Sequence, residues 1–192
     1  MYSNFTKWVD CGKWKEICSQ VHGAKILNES SNRMTKEKWI LAGLQLSIDQ
    51  EKNNILWEDQ RDYDLLFKDW QKGKVEVKTG NTPLFTEKTG TEKKVCNLKL
   101  KNIYESTYDR TTLDKDFDHL MIVNLTPFFC VAFCDYAVAN EHLVQLKDGF
   151  KTEIPFEKLT IVYKEPASKI VKSDIEFDPK IVIMKQLKGA GY

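Results

Sequence analysis

A layered α/β or α+β domain is predicted by three features of the chain. Met34 to Ile48 carries a helical stripe of apolar residues. Lys74 to Thr79 alternates strictly between polar and apolar, and two near-continuous apolar runs follow at His119–Leu125 and Phe128–Phe133. A period near 3.6 marks a helix, and a period of two marks a strand with one buried face. Unbroken apolar runs of this length mark strands covered on both faces, as in a mixed sheet with helices on either side. The resulting order is helix, three strands, a crossover, then strand, strand and helix.

In chain order, a short helix is expected over Thr6–Val21, then a loop through the polar stretch Asn28-Glu29-Ser30-Ser31-Asn32. Asn32 or Thr35 suits the N-cap of the next helix, because a short side-chain oxygen can accept from the unpaired amides of the first turn. Trp39, Ile40, Gly43, Leu44, Ser47 and Ile48 form the stripe of that helix. Leu41, Ala42 and Leu46 lie off it, so burial on more than one side is expected. Ile55-Leu56-Trp57, Tyr63–Phe67 and Lys74–Thr79, separated by polar and turn residues, read as three strands of a meander. Between positions 79 and 118, Gly80, Pro83 and Gly90 break any long element, and Val95–Ile103 fits a helix or a strand. After the two apolar strands, Asp135–Leu146 reads as a helix. Leu159–Tyr163 and Ile181–Met184 read as further strands.

A length of 192 residues suits one domain, 1–192, with elaborations on a single core. With 29 Lys+Arg against 28 Asp+Glu the formal charge is +1, which argues against a polybasic binder holding its partner by excess charge. An enzyme acting on nucleic acid is not excluded, since it needs only a local basic face. No stretch approaches the run of about 18 apolar residues that a membrane-spanning helix needs. Met1 to Asp10 lacks the charged-then-apolar pattern of a signal peptide. Cys11, Cys18, Cys96, Cys130 and Cys134 are few and scattered, which suits free thiols in a reducing compartment. The expectation is a soluble cytoplasmic domain with no membrane partner.

The chemistry concentrates between Asp62 and Lys78. On a strand, positions i and i+2 share a face, so Glu76 and Lys78 point one way while Val75 and Val77 point the other. If Tyr63–Phe67 pairs with Lys74–Thr79 as a hairpin, Asp64 arrives beside Glu76 and Lys78. Two carboxylates and an ammonium then converge. Phosphodiester hydrolysis calls for a hard cation, usually Mg²⁺, held by one or two carboxylates, carbonyls and waters. A nearby lysine can position or help deprotonate the attacking water while offsetting phosphate charge. Asp64 and Glu76 are the candidate ligands, with the Val77 carbonyl a third. Spacing alone leaves a second reading open, in which Glu76 and Lys78 are the solvated face of an edge strand. An acid-x-Lys triplet also occurs at Glu92-Lys93-Lys94 and Asp178-Pro179-Lys180, but neither lies on an alternating strand behind a paired aspartate.

Taken together, Glu37 on a buried helix, a strand ending in Trp57, Asp64 opening the next strand and Glu76-Val77-Lys78-Thr79 on the third resemble the PD-(D/E)XK nuclease superfamily. The resemblance covers roughly 35–133, with a C-terminal elaboration at about 149–192. It implies a restriction-endonuclease-like core of helix, three strands, helix and strand, a mixed central sheet flanked by helices, and additional C-terminal strands. It further implies Asp64 and Glu76 as metal ligands, Lys78 as the catalytic lysine and Glu37 as an acidic residue completing the metal site. Tyr63 stands where the motif's name has proline, and Asp62 competes with Asp64 for the first aspartate. The implied activity is a Mg²⁺-dependent endonuclease, with Mn²⁺ as a substitute, cutting double-stranded DNA at specific sequences. Its small size is most like a stand-alone Type II restriction enzyme working as a homodimer. The sequence says nothing of a companion methyltransferase. The same fold also serves repair, recombination, junction-resolving and RNA-cleaving nucleases, and inactive members that only bind.

Lys88, Lys93, Lys94, Lys99 and Lys101 form a basic stretch after this site, and Lys68, Lys72 and Lys74 surround the hairpin turn. They read either as a solvated surface or as phosphate contacts. Cys11, Cys18 and His22 lack the spacing and fourth ligand of a zinc site. Cys130 and Cys134 lie in an apolar run and read as buried free cysteines.

Overall fold

Alternation along the strands sorts the chain into two sheets. The computed structural model describes residues 1–23, 36–49, 54–58, 63–80, 85–87, 94–100, 116–126, 128–146 and 149–168. Three helices come first: α1 (Phe5–Trp8), α2 (Cys11–Gly23) and α3 (Lys36–Gln45). They lead into β1 (Ile55–Trp57), β2 (Leu65–Phe67) and β3 (Lys74–Gly80). Next come β4 (Phe85–Glu87), β5 (Lys94–Leu100), β6 (His119–Asn124) and β7 (Phe128–Asp135). The described chain ends with α4 (Tyr136–Glu141), β8 (Leu143–Leu146), β9 (Gly149–Pro155) and β10 (Thr160–Pro166). The central sheet runs β1-β2-β3-β6-β7-β10, and a second sheet runs β4-β5-β9-β8. Neighbours in the central sheet are antiparallel except β3 and β6, which are parallel. The protein is therefore mixed α/β.

Period two decides what each face of the central sheet buries. Val75 and Val77, Met121 and Val123, and Val131 and Phe133 enter one cluster with Phe5, Trp14, Ile40, Leu41 and Leu44 from the helices. The intervening Leu120, Ile122, Ala132 and Cys134 enter a second cluster, closed by Ala139 of α4 and Ile154 of β9. All six β6 residues are buried, which is why its sequence does not alternate. On β3 the second face carries Glu76 and Lys78 in register with Leu120 and Ile122. A charged pair thus sits where the neighbouring strands present hydrocarbon.

Several elements differ from the sequence expectations. The first helix is broken: Val9 leaves it to bridge Ile48, and Asp10 restarts it by accepting the Lys13 amide on Oδ1 at 2.9 Å. The helix expected over Asp135–Leu146 stops at Glu141, and Leu143–Leu146 pairs with β9 instead. Cross-strand pairing there overrides a weak helical pattern. Val95–Ile103, which fits a helix or a strand by sequence, overlaps the strand Lys94–Leu100. The crossover from β3 to β6 was expected to hold a helix. Its described part contains β4 and β5, and 101–115 lies outside the described residues. Ile181–Met184 lies outside them too. Residues 160–166 supply the edge strand of the central sheet, and Phe5 and Trp14 are fully buried, so both ends of the described chain build the core. Among the described residues, no helix is long and apolar enough to cross a membrane.

Cys11, Cys18, Cys130 and Cys134 are free and buried. Burial pushes the Cys11 thiol up to about 12 and Cys130 up to about 11, so both stay protonated and unreactive at neutral pH.

Two local constraints lock the sheet end nearest the hairpin. The Phe67 amide donates to the Gly73 carbonyl at 2.8 Å, closing the β2–β3 turn over Trp70, whose ring lies 4.3 Å from Phe67. A carbonyl can only accept, so His119 Nε2 carries the proton it donates to the Lys72 carbonyl at 2.8 Å. Nδ1 then accepts from the Tyr2 hydroxyl at 2.9 Å. Burial lowers the His119 pKa below its ordinary value.

Gly73→Ala should destabilise the protein by about 2 kcal/mol. Its Cβ would stand 2.2 Å from the Phe67 carbonyl oxygen, which cannot move without opening the hairpin. Gly12→Ala meets only Asp10 Oδ1 at 3.4 Å. Within α2 it should stabilise by about 0.5 kcal/mol. Urea midpoints shifting equally in the two variants would sink this account.

His119 also predicts a pH dependence. Above about pH 6.5 both folded and unfolded states are neutral at this ring. Below that, the unfolded chain takes the proton first, so stability falls as the pH drops through the lower folded-state value. His119→Gln should flatten that fall in a urea series. An unchanged slope would assign it to other groups.

Candidate active site

Asp64 is held in place by its own backbone. Its amide donates to the Val75 carbonyl at 3.0 Å, and its carbonyl accepts the Glu58 amide at 3.0 Å. It therefore lies between β1 and β3, immediately before β2, where Leu65 pairs with Val75 and Leu66 with Lys74. The hairpin expected from the sequence is present. Its side chain reaches across the pair: Asp64 Oδ2 accepts the Val77 amide at 2.7 Å. In extended backbone a residue's N–H and C=O point to the same edge, so the Val77 carbonyl also faces the β2 side.

Glu76 and Lys78 occupy the next positions on the outer face of β3. The Lys78 ammonium donates to Glu76 Oε1 in an ion pair. Glu76 is only 2% exposed, whereas the Lys78 side chain is 17% exposed. A carboxylate this deeply buried requires a cationic partner, because desolvating it alone costs several kcal/mol. The edge-strand alternative, in which these residues face water, does not describe Glu76: β3 is internal to the sheet and its carboxylate is covered.

Asp64, Val77, Glu76 and Lys78 are thus brought together at one place. Two carboxylates and a carbonyl from these residues would make a hard-oxygen donor set of the kind that Mg²⁺ and Mn²⁺ take. Among the described residues no group of three or more His, Cys, Asp or Glu side chains gathers for a metal, so a fitting ion would rely on this smaller set. Glu37 lies in the first turn of α3, and its side chain is outside the described residues, as is Asp62. Ile40, Leu41 and Leu44 pack α3 on the Val75–Val77 face, opposite the face that carries Glu76.

A polar cluster borders this site. The Tyr63 hydroxyl donates to Glu58 Oε2 at 2.5 Å, and that carboxylate raises the Tyr63 pKa. Lys74 pairs with Asp116, lies 5.6 Å over the Tyr63 ring, and donates its amide to Asp118 Oδ2 at 3.0 Å. The Asp116 carboxylate raises the Lys74 pKa and offsets the charge expected to meet phosphate. Glu58, Asp116 and Asp118 were not singled out from the sequence. Polar residues at strand ends carry no distinguishing pattern, and Asp116 lies 42 positions from Lys74.

Among the lysines proposed for nucleic-acid contact, Lys68 is exposed in the hairpin turn. Lys94 and Lys99 lie on β5 with side chains outside the described residues, and Lys88, Lys93 and Lys101 fall wholly outside them. No family model, curated protein or solved structure matches this chain.

Asp64→Ala strands the Val77 amide, while Asp64→Asn keeps an oxygen to accept it. The alanine variant should be less stable than the asparagine variant by about 1–2 kcal/mol. Chemical unfolding of the pair checks this, and equal stabilities would mean the Asp64–Val77 contact contributes nothing.

Proposed function

We propose that this protein is a metal-dependent nuclease of the PD-(D/E)XK type, cutting phosphodiester bonds in double-stranded DNA. The observation that carries the reading is the convergence at β2 and β3. Asp64 is bonded to the amide of Val77, between Glu76 and the lysine that pairs with it. The order of the central sheet supports it. A helix precedes an antiparallel β1-β2-β3 meander, and the next strand of that sheet, β6, lies parallel beside β3. A helix, three strands and a later strand in that sequence agree with the core the resemblance implies, and the described part of the crossover holds β4 and β5.

Asp64, Glu76 and the Val77 carbonyl would hold the divalent ion, with Glu37 an additional candidate. When bound, the ion supplies charge neutralisation at the scissile phosphate. Asp64 keeps its orientation through the Val77 amide, so the donor set is shaped before any ligand arrives. Lys78, on the same face as Glu76, is placed to orient the attacking water and to offset phosphate charge. Lys68, Lys74, Lys88, Lys93, Lys94 and Lys99 are the proposed contacts to the DNA backbone. A homodimer would supply two such sites for two strands.

Cleavage of long unmethylated duplex DNA tests the reading. Mg²⁺ should support cutting and EDTA should stop it. Asp64→Asn, Glu76→Gln and Lys78→Ala should each reduce the rate by on the order of 10³-fold. A discrete ladder of bands indicates a sequence-specific cutter. Diffuse degradation with the same dependences keeps the chemistry and moves the role to repair, recombination or RNA turnover. Duplex DNA, branched DNA and RNA all left intact would replace the enzyme with a binding protein.

A further inference from the structure

The Glu76 carboxylate has two claims on it. In the proposed metal centre it is a ligand with Asp64 and the Val77 carbonyl, and Oε1 already accepts from the Lys78 ammonium. At 2% exposure it has little water to fall back on, so the Lys78 ammonium is a close partner that a divalent ion would have to replace. An ammonium and a divalent ion drawn to one buried carboxylate repel each other strongly, because the surroundings screen them poorly.

We infer that Lys78 is the resident counter-cation of this site, holding Glu76 in position until a divalent ion displaces it. The inference rests on the reading of Asp64 and Glu76 as a metal centre. It adds that metal and ammonium compete for Glu76, so metal affinity is set below what the oxygen donors alone would give. Displacement also turns the ammonium away from Glu76 at the moment the site is loaded, when phosphate and water need a positive partner. An idle site then keeps its lysine neutralised on its own strand. The coupling is reciprocal: whatever loosens Lys78 from Glu76 tightens the metal, and whatever tightens Lys78 weakens it.

Calorimetric titration of the full chain with MnCl₂, without nucleic acid, separates the possibilities. The wild type is compared with Lys78→Met, Lys78→Arg and Asp64→Asn. Lys78→Met should bind Mn²⁺ more tightly than wild type by on the order of tenfold. Lys78→Arg should bind more weakly, because a guanidinium can hold a carboxylate through two hydrogen bonds. Mn²⁺ should also raise the melting temperature of Lys78→Met by more than it raises that of wild type. Unchanged or weaker binding by Lys78→Met, with wild type binding normally, overturns the inference and leaves the metal centre standing. If Lys78→Met does not fold by circular dichroism, the arginine variant decides, and equal or tighter binding there overturns it. A wild type that binds no Mn²⁺ at millimolar concentration, or binding indifferent to Asp64→Asn, overturns the metal reading and this inference together.

Discussion

Taking a carboxylate out of water is costly unless a positive charge and hydrogen bonds lie beside it. Glu76 meets that constraint through Lys78, two positions along the same strand and on the same face. The rest of the arrangement follows from where β3 lies. β3 is internal, between β2 and β6, and the Glu76 carboxylate on its outer face is covered while the Lys78 side chain stays 17% exposed. Asp64, bonded through its own amide to the Val75 carbonyl, is held where its carboxylate reaches the Val77 amide. The apolar face of the same strand, Val75 and Val77, is what anchors β3 to the main core.

That core is held at its other end by contacts distant in sequence. Tyr2 reaches His119, and His119 reaches the Lys72 carbonyl in the hairpin turn. Phe5 and Trp8 pack on Phe67, and Trp14 donates its indole N–H to the Ile40 carbonyl at 2.9 Å. The first residues of the chain are therefore part of the scaffold that fixes the hairpin. On the opposite face, α4 and β9 complete the second cluster, so the sheet is covered from both sides. Rigid flanks of this kind keep a small polar site in one geometry.

Much of this was legible in the residues. Strict alternation from Lys74 to Thr79 identifies β3 and separates its charged face from its apolar one. Two short apolar runs and Gly73 identify the hairpin, and hairpin geometry alone brings Asp64 toward Glu76. The continuous runs identify β6 and β7 as strands buried on both faces. Elements whose stability comes from a distant partner were not legible. Leu143–Leu146 has no strong alternation, and only pairing with β9 makes it a strand. Lys94–Leu100 was ambiguous for the same reason: its register partner Ile154 lies far along the chain from Cys96. The break at Val9 and Asp10 depends on a bridge to Ile48 that no local pattern announces.

The sequence by itself determined the class of fold, the hairpin and the candidate residues for the proposed chemistry, because periodicity and short-range geometry are local properties of the chain. Tertiary structure alone decided that Glu76 is buried and not a solvated surface group, since burial depends on what covers a strand. It also decided that the Val77 amide holds Asp64, that Asp116 offsets Lys74, and that β4 and β5 of the crossover join β8 and β9 in a second sheet. Each of these joins groups separated along the chain. Their energies come from desolvation and from contacts that exist only once the layers have closed.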